Sequence, residues 1–400
     1  MDFVDRVLAL QGNSPLHKFS LEVRDNSDDP VVPNRMFPWI LNMLERGVSD
    51  LNLSMELESE SLLPSRIFSS ETLVTLKLTI AYGPTIEVDD VYLPKLKTLS
   101  LDVVFGKNGI GLSKLLSRCH VLEELVLNDM CWCKWNFSSV SVPTLKRLTF
   151  CWEARDENPE SVSIDTPNLV YLEFTDTISD VYPKLNFDSL VEARICLRMS
   201  EDQIGKAQFL EEASFSDLQI HYAEGNEENE MVGNAIDFIV GICNVQILYL
   251  YADTLEVLTY CCEAVPVFNN LRELTIESNP KIGWDSLPGL LKNAPNLEIL
   301  VFQGLVHKAT DRCGDMCLCE TYEEEEEDED DEIPSCLLSS RVKVIKILKF
   351  GDYYGNMGKQ SEQIKYFLET MPNLEQMILS YNAPTDEHVT EFSRQLERMV

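Results

Sequence analysis

The sequence predicts an α/β fold: an irregular leucine-rich-repeat solenoid, a horseshoe of short parallel strands with helices on its convex side. Three observations predict it. Five segments share the pattern L-x-x-L-x-L in register: Leu73/Leu76/Leu78, Leu96/Leu99/Leu101, Leu122/Leu125/Leu127, Leu145/Leu148/Phe150 and Leu169/Leu172/Phe174. Their first positions step by 23, 26, 23 and 24 residues, and a period in the twenties carrying this pattern is the repeat signature. The last two apolar positions alternate with polar ones, so each unit puts two side chains on one face of a short strand. One such unit cannot bury its apolar face alone, whereas a stack buries a continuous core.

Taken in order, residues 1–12 read as an amphipathic helix with Phe3, Val7, Leu8 and Leu10 toward one side. Leu16-x-x-Phe19-x-Leu21 is a first, imperfect repeat strand, and Asp25 to Pro33 a polar turn. Met36 to Glu45 is apolar at helical spacing, with Gly47 as its stop, and Val48-x-x-Leu51-x-Leu53 follows as a second repeat. Prolines stand two residues before the first leucine of several units, at Pro94, Pro143, Pro167, Pro295 and Pro372, setting an extended entry into the strand. Gly109 to Cys119 reads as a short convex-side helix.

After Phe174 the pattern weakens to Leu190-x-x-Ala193-x-Ile195 and Leu210-x-x-Ala213-x-Phe215. A polar insertion, Ala223 to Glu230, precedes a helix over Val232 to Ile242. The repeat resumes at Val245/Leu248/Leu250, Leu271/Leu274/Ile276 and Leu297/Leu300/Phe302, and only the Leu271 unit carries the asparagine of the fuller consensus, Asn279. Residues 304–335 hold three cysteines and then a solid acid run, and read as a disordered insertion. Ile345/Leu348/Phe350, a helix at Glu362 to Glu369 and Leu374/Met377/Leu379 follow, with Thr385 to Met399 as a polar C-terminal cap.

Composition bounds the function. The formal net charge is −34, and removing the ten acids of Glu323 to Glu332 still leaves −24, so the acidity is global. Such a chain repels phosphate backbones, which argues against nucleic acid as a partner. No apolar run approaches the ~20 residues that span a bilayer, so no membrane partner is expected. Met1-Asp-Phe-Val-Asp-Arg6 has no basic region leading into an apolar run, as a secretory leader would. The twelve cysteines are scattered over predicted strands in the manner of buried free thiols, which points to a cytoplasmic or nuclear protein.

No catalytic motif stands in the sequence: there is no G-x-x-x-x-G-K-[ST], G-x-G-x-x-G, G-x-S-x-G or H-E-x-x-H. The five histidines are dispersed singly, the usual arrangement of solvated surface histidines. No cofactor is expected. His307 with Cys313, Cys317 and Cys319 offers one nitrogen and three sulfurs, the count of a structural zinc site. Its C-x₃-C-x-C spacing matches no standard knuckle and it falls in the expected insertion, so the sequence reading assigns no metal. Cys131 and Cys133 and the vicinal pair Cys261–Cys262 read as core or loop thiols.

Repeat geometry gives the working surface. Strand residues flanking the buried positions line the concave face, and interface anchors are enriched in aromatic residues and Arg. Lys77, Arg147, Tyr171, Glu173, Tyr249, Tyr251 and Glu273 are therefore the candidate protein-binding residues. The acidic tract, Glu323, Glu324, Glu325, Glu326, Glu327, Asp328, Glu329, Asp330, Asp331 and Glu332, is a solvated spacer or an electrostatic arm for a basic partner.

The C-terminal text carries a family resemblance. Cys336 to Phe350, followed by Gln363-Ile-Lys-Tyr-Phe-Leu368 and Met371-Pro-Asn-Leu-Glu-Gln-Met-Ile-Leu379, resembles the FBD domain of plant F-box/LRR-repeat proteins. Met1 to Leu8 with Ser14-Pro-Leu-His-Lys-Phe-Ser-Leu21 is similar to the segment joining the F-box to the first repeat in that family, and Val245 to Leu258 has the same character. The resemblance divides the chain into an N-terminal cap with the first imperfect repeat (1–47), the repeat array (48–303), the insertion (304–335) and an FBD block with C-terminal cap (336–400). It implies a non-enzymatic scaffold that binds a protein ligand on its concave face, as the substrate-recognition part of an SCF ubiquitin-ligase adaptor. No F-box pattern of the form L-P-x-x-[LI]-x-x-x-I-L-x-x-L stands in the sequence. Skp1 is then a partner only if an F-box is supplied upstream. An acidic, chaperone-like binder of basic nuclear proteins and a non-functional truncated paralogue are the alternatives.

Overall fold

The computed structural model describes residues 2–11, 16–25, 31–57, 63–81, 88, 90–103, 110–129, 139–155, 158–215, 232–310, 312–319, 335–351 and 357–381. They fall in two compact units, Met1–Ser189 and Leu190–Val400.

The first unit holds strands β1 (Lys18–Asp25), β2 (Asp50–Leu57), β3 (Thr75–Ala81), β4 (Thr98–Val103), β5 (Glu124–Asn128), β6 (Ser139–Ser141), β7 (Arg147–Cys151), β8 (Ser163–Asp165), β9 (Tyr171–Thr177) and β10 (Lys184–Asn186). Strands β1-β2-β3-β4-β5-β7-β9 form a parallel sheet in that order. The repeat pattern sets its register. Leu51, Leu76, Leu99, Leu125, Leu148 and Leu172 lie side by side and buried, and Leu53, Leu78, Leu101, Leu127, Phe150 and Phe174 make the next buried row. The Phe150 and Phe174 rings stack with centroids 5.2 Å apart.

The entry prolines act differently from the extended entry expected. Pro94, Pro143 and Pro167 are second in four-residue turns closed by Leu96 N–H to Leu93 O, Leu145 N–H to Val142 O and Leu169 N–H to Thr166 O. Proline's fixed φ suits that turn position. The carbonyls of Val74, Lys97, Glu123 and Lys146 each accept two successive N–H groups of the next repeat, which locks neighbouring repeats before the strands begin.

Helix Asp2–Gln11 lies against helix Val31–Glu45, where Trp39 Nε1–H donates to Asp5 Oδ1 at 2.6 Å and Arg46 donates to the Leu8 carbonyl. The stop at Gly47 is as expected: its φ is +77°, with Gly47 N–H donating to Leu44 O and Val48 N–H to Met43 O. Helix Ile110–Arg118 backs the sheet, but further along the outer layer is strand rather than helix. β6, β8 and β10 form a second parallel sheet whose Val140 and Ile164 point into the core, residues that favour a pleated surface.

The second unit continues the pattern with β11 (Glu192–Arg198), β12 (Ile247–Leu250), β13 (Glu273–Glu277), β14 (Ile299–Gln303), β15 (Val344–Phe350) and β16 (Gln376–Tyr381), parallel in that order. Ala193, Leu248, Leu274, Leu300 and Ile345 form one buried row; Ile195, Leu250, Ile276, Phe302 and Ile347 form the other. Its helices are Glu201–Phe215, Ile236–Gly241, Ala252–Tyr260, Leu287–Lys292, Cys336–Ser339 and Met357–Thr370.

Several expectations are corrected here. The β15 repeat is not Ile345/Leu348/Phe350: Ile345 and Ile347 face inward beside Leu300 and Phe302, and Leu348 is half-buried. Leu210, Ala213 and Phe215 belong to a helix, not a weak repeat strand. A capping interaction starts that helix, with Gln203 Oε1 accepting from Ser200 N–H at 3.0 Å, and a run of good helix formers carries it on. Residues 304–310 and 312–319 are packed rather than part of a disordered insertion, and Leu305, Cys313, Met316 and Cys317 are buried. Moreover, β14 pairs directly with β15, so the sheet runs through the segment that was expected to break it. The helix expected over Val232 to Ile242 is confined to Ile236–Gly241, with Asn234 Oδ1 accepting from Ile236 N–H. The Ala223–Glu230 insertion, Cys131 and Cys133, the acidic tract and the Thr385–Met399 cap lie outside the described residues. No helix among the described residues is long and apolar enough to cross a membrane.

Candidate functional site

Parallel pairing places the residues between the buried positions in rows across the sheet. In the first unit one row runs Thr75, Thr98, Glu124, Arg147, Tyr171, and a second runs Lys77, Ser100, Val126, Thr149, Glu173. All of these are half-buried or exposed. Three of the candidate residues come together. The Arg147 guanidinium carbon sits 3.9 Å above the Tyr171 ring, and the Tyr171 hydroxyl donates to Glu173 Oε2 at 3.1 Å. Arg147 Nε is also 3.9 Å from Glu124 Oε1, and Thr98 Oγ1 donates to Glu124 Oε2 at 3.4 Å. Lys77 is exposed on the same face, but its row partner beside Arg147, Thr149, is three strands away, about 14 Å at ordinary strand spacing.

In the second unit Tyr249 and Tyr251 pack with ring centroids 4.7 Å apart. The Arg194 guanidinium lies 5.8 Å over the Tyr249 ring and its Nε donates to Glu192 Oε1 at 3.1 Å. Burial first, then the Glu277 carboxylate, pushes the Tyr249 hydroxyl up to about 12. Glu273 lies 3.8 Å from Lys346 Nζ. The sequence reading omitted Arg194 and Lys346. Both stand between two inward positions, Ala193 and Ile195 or Ile345 and Ile347, so the same alternation identifies them.

A second cluster forms around the β14–β15 connection. The donor atoms of His307, Cys313, Cys317 and Cys319 all lie within 4.8 Å of one another. His307 stacks on the buried Trp284, with centroids 3.8 Å apart and planes inclined by 12°. Its Nε2 is 3.3 Å from Cys319 Sγ, and its Nδ1 lies 3.0 Å from the Leu305 carbonyl. Thr310 Oγ1 is 3.1 Å from Cys313 Sγ, and Cys319 N–H donates to Cys317 Sγ. The Cys313 thiol is pulled down from its ordinary value, first by the hydrogen bond from Cys317 and against burial, with His307, Thr310 and the Trp284 backbone adding donors. Sequence reasoning had this donor set but discounted it, because the spacing hides how the backbone folds back on itself.

That backbone is held at two points. Gln363, from helix Met357–Thr370, accepts from Leu318 N–H at 3.1 Å and donates to the Met316 carbonyl at 3.0 Å. Asp315 accepts from Ser335, Leu337 N–H and the Cys336 thiol, capping the short helix Cys336–Ser339.

Comparison with known proteins gives consistent matches. Residues 37–191 match a family model described as the LRR repeats of FBD-associated F-box protein At5g56370. The F-box/LRR-repeat protein At4g14096 of Arabidopsis thaliana is 62% identical over 401 residues, covering 100% of this chain and 78% of that protein. The F-box/LRR-repeat protein At3g59200 of the same plant is 55% identical, covering 100% of this chain and 73% of its own length.

Proposed function

This chain belongs to the F-box/LRR-repeat protein family, and on that premise we propose that its repeats are the substrate-recognition part of an SCF-type ubiquitin-ligase adaptor. The reading is of a scaffold that holds a protein ligand and does no chemistry itself. One observation supports it most: the Arg147–Tyr171–Glu173 group on the solvent side of the first unit's sheet. Arg and Tyr are the residue types that carry most interface energy. Here neighbouring strands fix them at set spacing, so little rotamer freedom remains to be lost on binding. Tyr249, Tyr251 and Arg194 offer a comparable group in the second unit. In this reading Skp1 is recruited by an F-box upstream of the repeats, and the repeats select what is ubiquitylated.

The test is a paired recovery from plant cells of this chain alone and of the chain carrying an F-box at its N-terminus. The F-box form should retrieve Skp1 together with a protein ligand, while Arg147→Ala with Tyr171→Ala should retain Skp1 and lose the ligand. If the F-box form takes up no Skp1, the adaptor reading falls. Ligand recovery unchanged in Arg147→Ala/Tyr171→Ala and in Tyr249→Ala/Tyr251→Ala would remove the sheet face as the binding surface.

A further inference from the structure

We propose that His307, Cys313, Cys317 and Cys319 form a structural zinc site that closes the long connection between β14 and β15. The donor set is one imidazole nitrogen and three cysteine sulfurs, the composition of closed, four-coordinate structural zinc sites. A tetrahedral centre with ordinary zinc–ligand lengths needs sulfurs about 3.8 Å apart and sulfur-to-nitrogen separations of about 3.6 Å. The four donors already lie within 4.8 Å of one another, and the Cys319–His307 pair is at 3.3 Å. Side-chain shifts of under about 1 Å would complete the tetrahedron without moving the backbone.

The surroundings favour a ligand role over a chance meeting of thiols. His307 Nδ1, 3.0 Å from the Leu305 carbonyl, is placed to carry the ring proton and donate it there. That tautomer leaves the Nε2 lone pair facing the sulfurs, the outer-shell arrangement that orients metal-bound histidines. The ring is fixed in plane by Trp284. The Cys319 N–H aimed at Cys317 Sγ suits a thiolate acceptor. Cys313 and Cys317 are buried, and three thiols with an imidazole crowded into one pocket are poor packing partners unless something binds them. Three soft sulfurs with one imidazole select zinc over magnesium or calcium.

Binding is balanced by proton release: zinc takes three thiolates and the neutral imidazole, and the three thiol protons leave to solvent, so the filled site carries one negative charge. Retention therefore weakens as pH falls and the thiols compete for protons. The site's role is mechanical. All four ligands lie on the connection that leaves β14, with Trp284 from the preceding loop beneath them and Gln363 from the following repeat above. Zinc would fix the fold of this connection, which Trp284 and Gln363 join to the neighbouring repeats.

The experiment is elemental analysis of the full chain purified under reducing conditions, with cobalt substitution of the same protein. About one zinc per chain is expected, together with the visible absorption of tetrahedral thiolate-bound cobalt that excess zinc bleaches. Cys317→Ser and His307→Ala should lose the metal, whereas His307→Cys, which keeps four ligands, and Cys151→Ser, on a strand elsewhere, should retain it. Because the two loss variants could misfold, the cobalt titration of the unaltered chain decides by itself. The proposal is overturned if that chain carries no zinc and gives no tetrahedral cobalt spectrum. It is equally overturned if peptide mapping of the chain isolated without reductant finds a disulfide joining two of these cysteines in place of metal.

Discussion

Arg147 lays its guanidinium carbon 3.9 Å above the ring of Tyr171, from the next strand of the sheet, while keeping only a distant 3.9 Å approach to Glu124. An exposed cation–π pair contributes about 0.5–1 kcal/mol, and an exposed ion pair at that distance contributes less. Arg147→Ala should therefore lower the unfolding free energy by under about 1 kcal/mol. As an interface anchor the same side chain is worth more: its loss should weaken ligand binding by about thirtyfold or more, since hot-spot truncations cost about 2 kcal/mol or more. Denaturant titration and binding to the recovered ligand separate the two effects. A large stability loss with binding intact would make the pair structural only.

Thr254 tests a different link, between helix and sheet. Its hydroxyl donates to the Ile195 carbonyl at 2.8 Å and accepts from Leu197 N–H at 3.0 Å, with no exposed surface. Thr254→Val keeps the shape and strands the Leu197 N–H in the core, while the Ile195 carbonyl keeps the Tyr251 N–H at 3.0 Å. Leaving buried polar groups unpaired costs about 1–3 kcal/mol, so urea unfolding should show a loss in that range. A neutral result would mean that water or a shift of helix Ala252–Tyr260 satisfies β11.

A third prediction rests on a spine at the repeat entries. Asn296 donates its side-chain amide to the Asn269 carbonyl at 2.8 Å, Asn168 to Pro143 at 2.8 Å, and Asn373 to Ser340 at 2.8 Å. Each asparagine precedes the first leucine of its unit and reaches back one repeat. Asn296→Ala should cost about 0.5–1.5 kcal/mol, the net worth of one hydrogen bond. Asn296→Asp should be worse, because a carboxylate cannot donate to a carbonyl. Equal stability of all three forms by thermal unfolding would rule out the spine as a stabilising element.

That spine also shows what was legible. The strand register could be read in most units, because Leu99 or Leu274 must point inward wherever a parallel neighbour repeats the alternation. However, β15, with apolar residues at 344, 345, 347, 348 and 350, reads as Ile345/Leu348/Phe350 where Ile345 and Ile347 in fact face inward. The asparagines were visible as P-N-L at 167–169, 295–297 and 372–374, yet attention to the usual consensus position, Asn279, passed over them. Leu210 to Phe215 misled because three apolar residues fit the repeat template, while the Ser200–Gln203 cap that decides for helix lies ten residues upstream. The His307–Cys319 cluster was the hardest: no spacing rule encodes a connection folded by a tryptophan stack and the Gln363 clasp. The acid run beyond residue 320 extended the expectation of an unpacked insertion to neighbours that in fact pack.

The buried thiols give the pH prediction. Burial pushes Cys119 from 9.0 up to about 12, and it does the same to Cys262 and, with a smaller push from Cys262 and Glu256, to Cys261. Below pH 9.0 these thiols are protonated in both states, and their ionisation does not distinguish folded from unfolded. Between 9.0 and about 12 the unfolded chain ionises them while the native core keeps them neutral. The native state then binds more protons, so stability falls as pH rises through that window. Surface lysines and tyrosines also titrate there, so the wild-type profile alone is not decisive. The readout is the gap between wild type and Cys119→Ala in urea unfolding, measured from neutral pH up to about 11. At neutral pH the variant loses packing and is the less stable. The gap should narrow steadily above pH 9.0, because only the wild type keeps the thiol whose ionisation favours unfolding. A gap that stays constant across the range would mean that Cys119 reaches solvent and titrates in the native state as it does in the unfolded one.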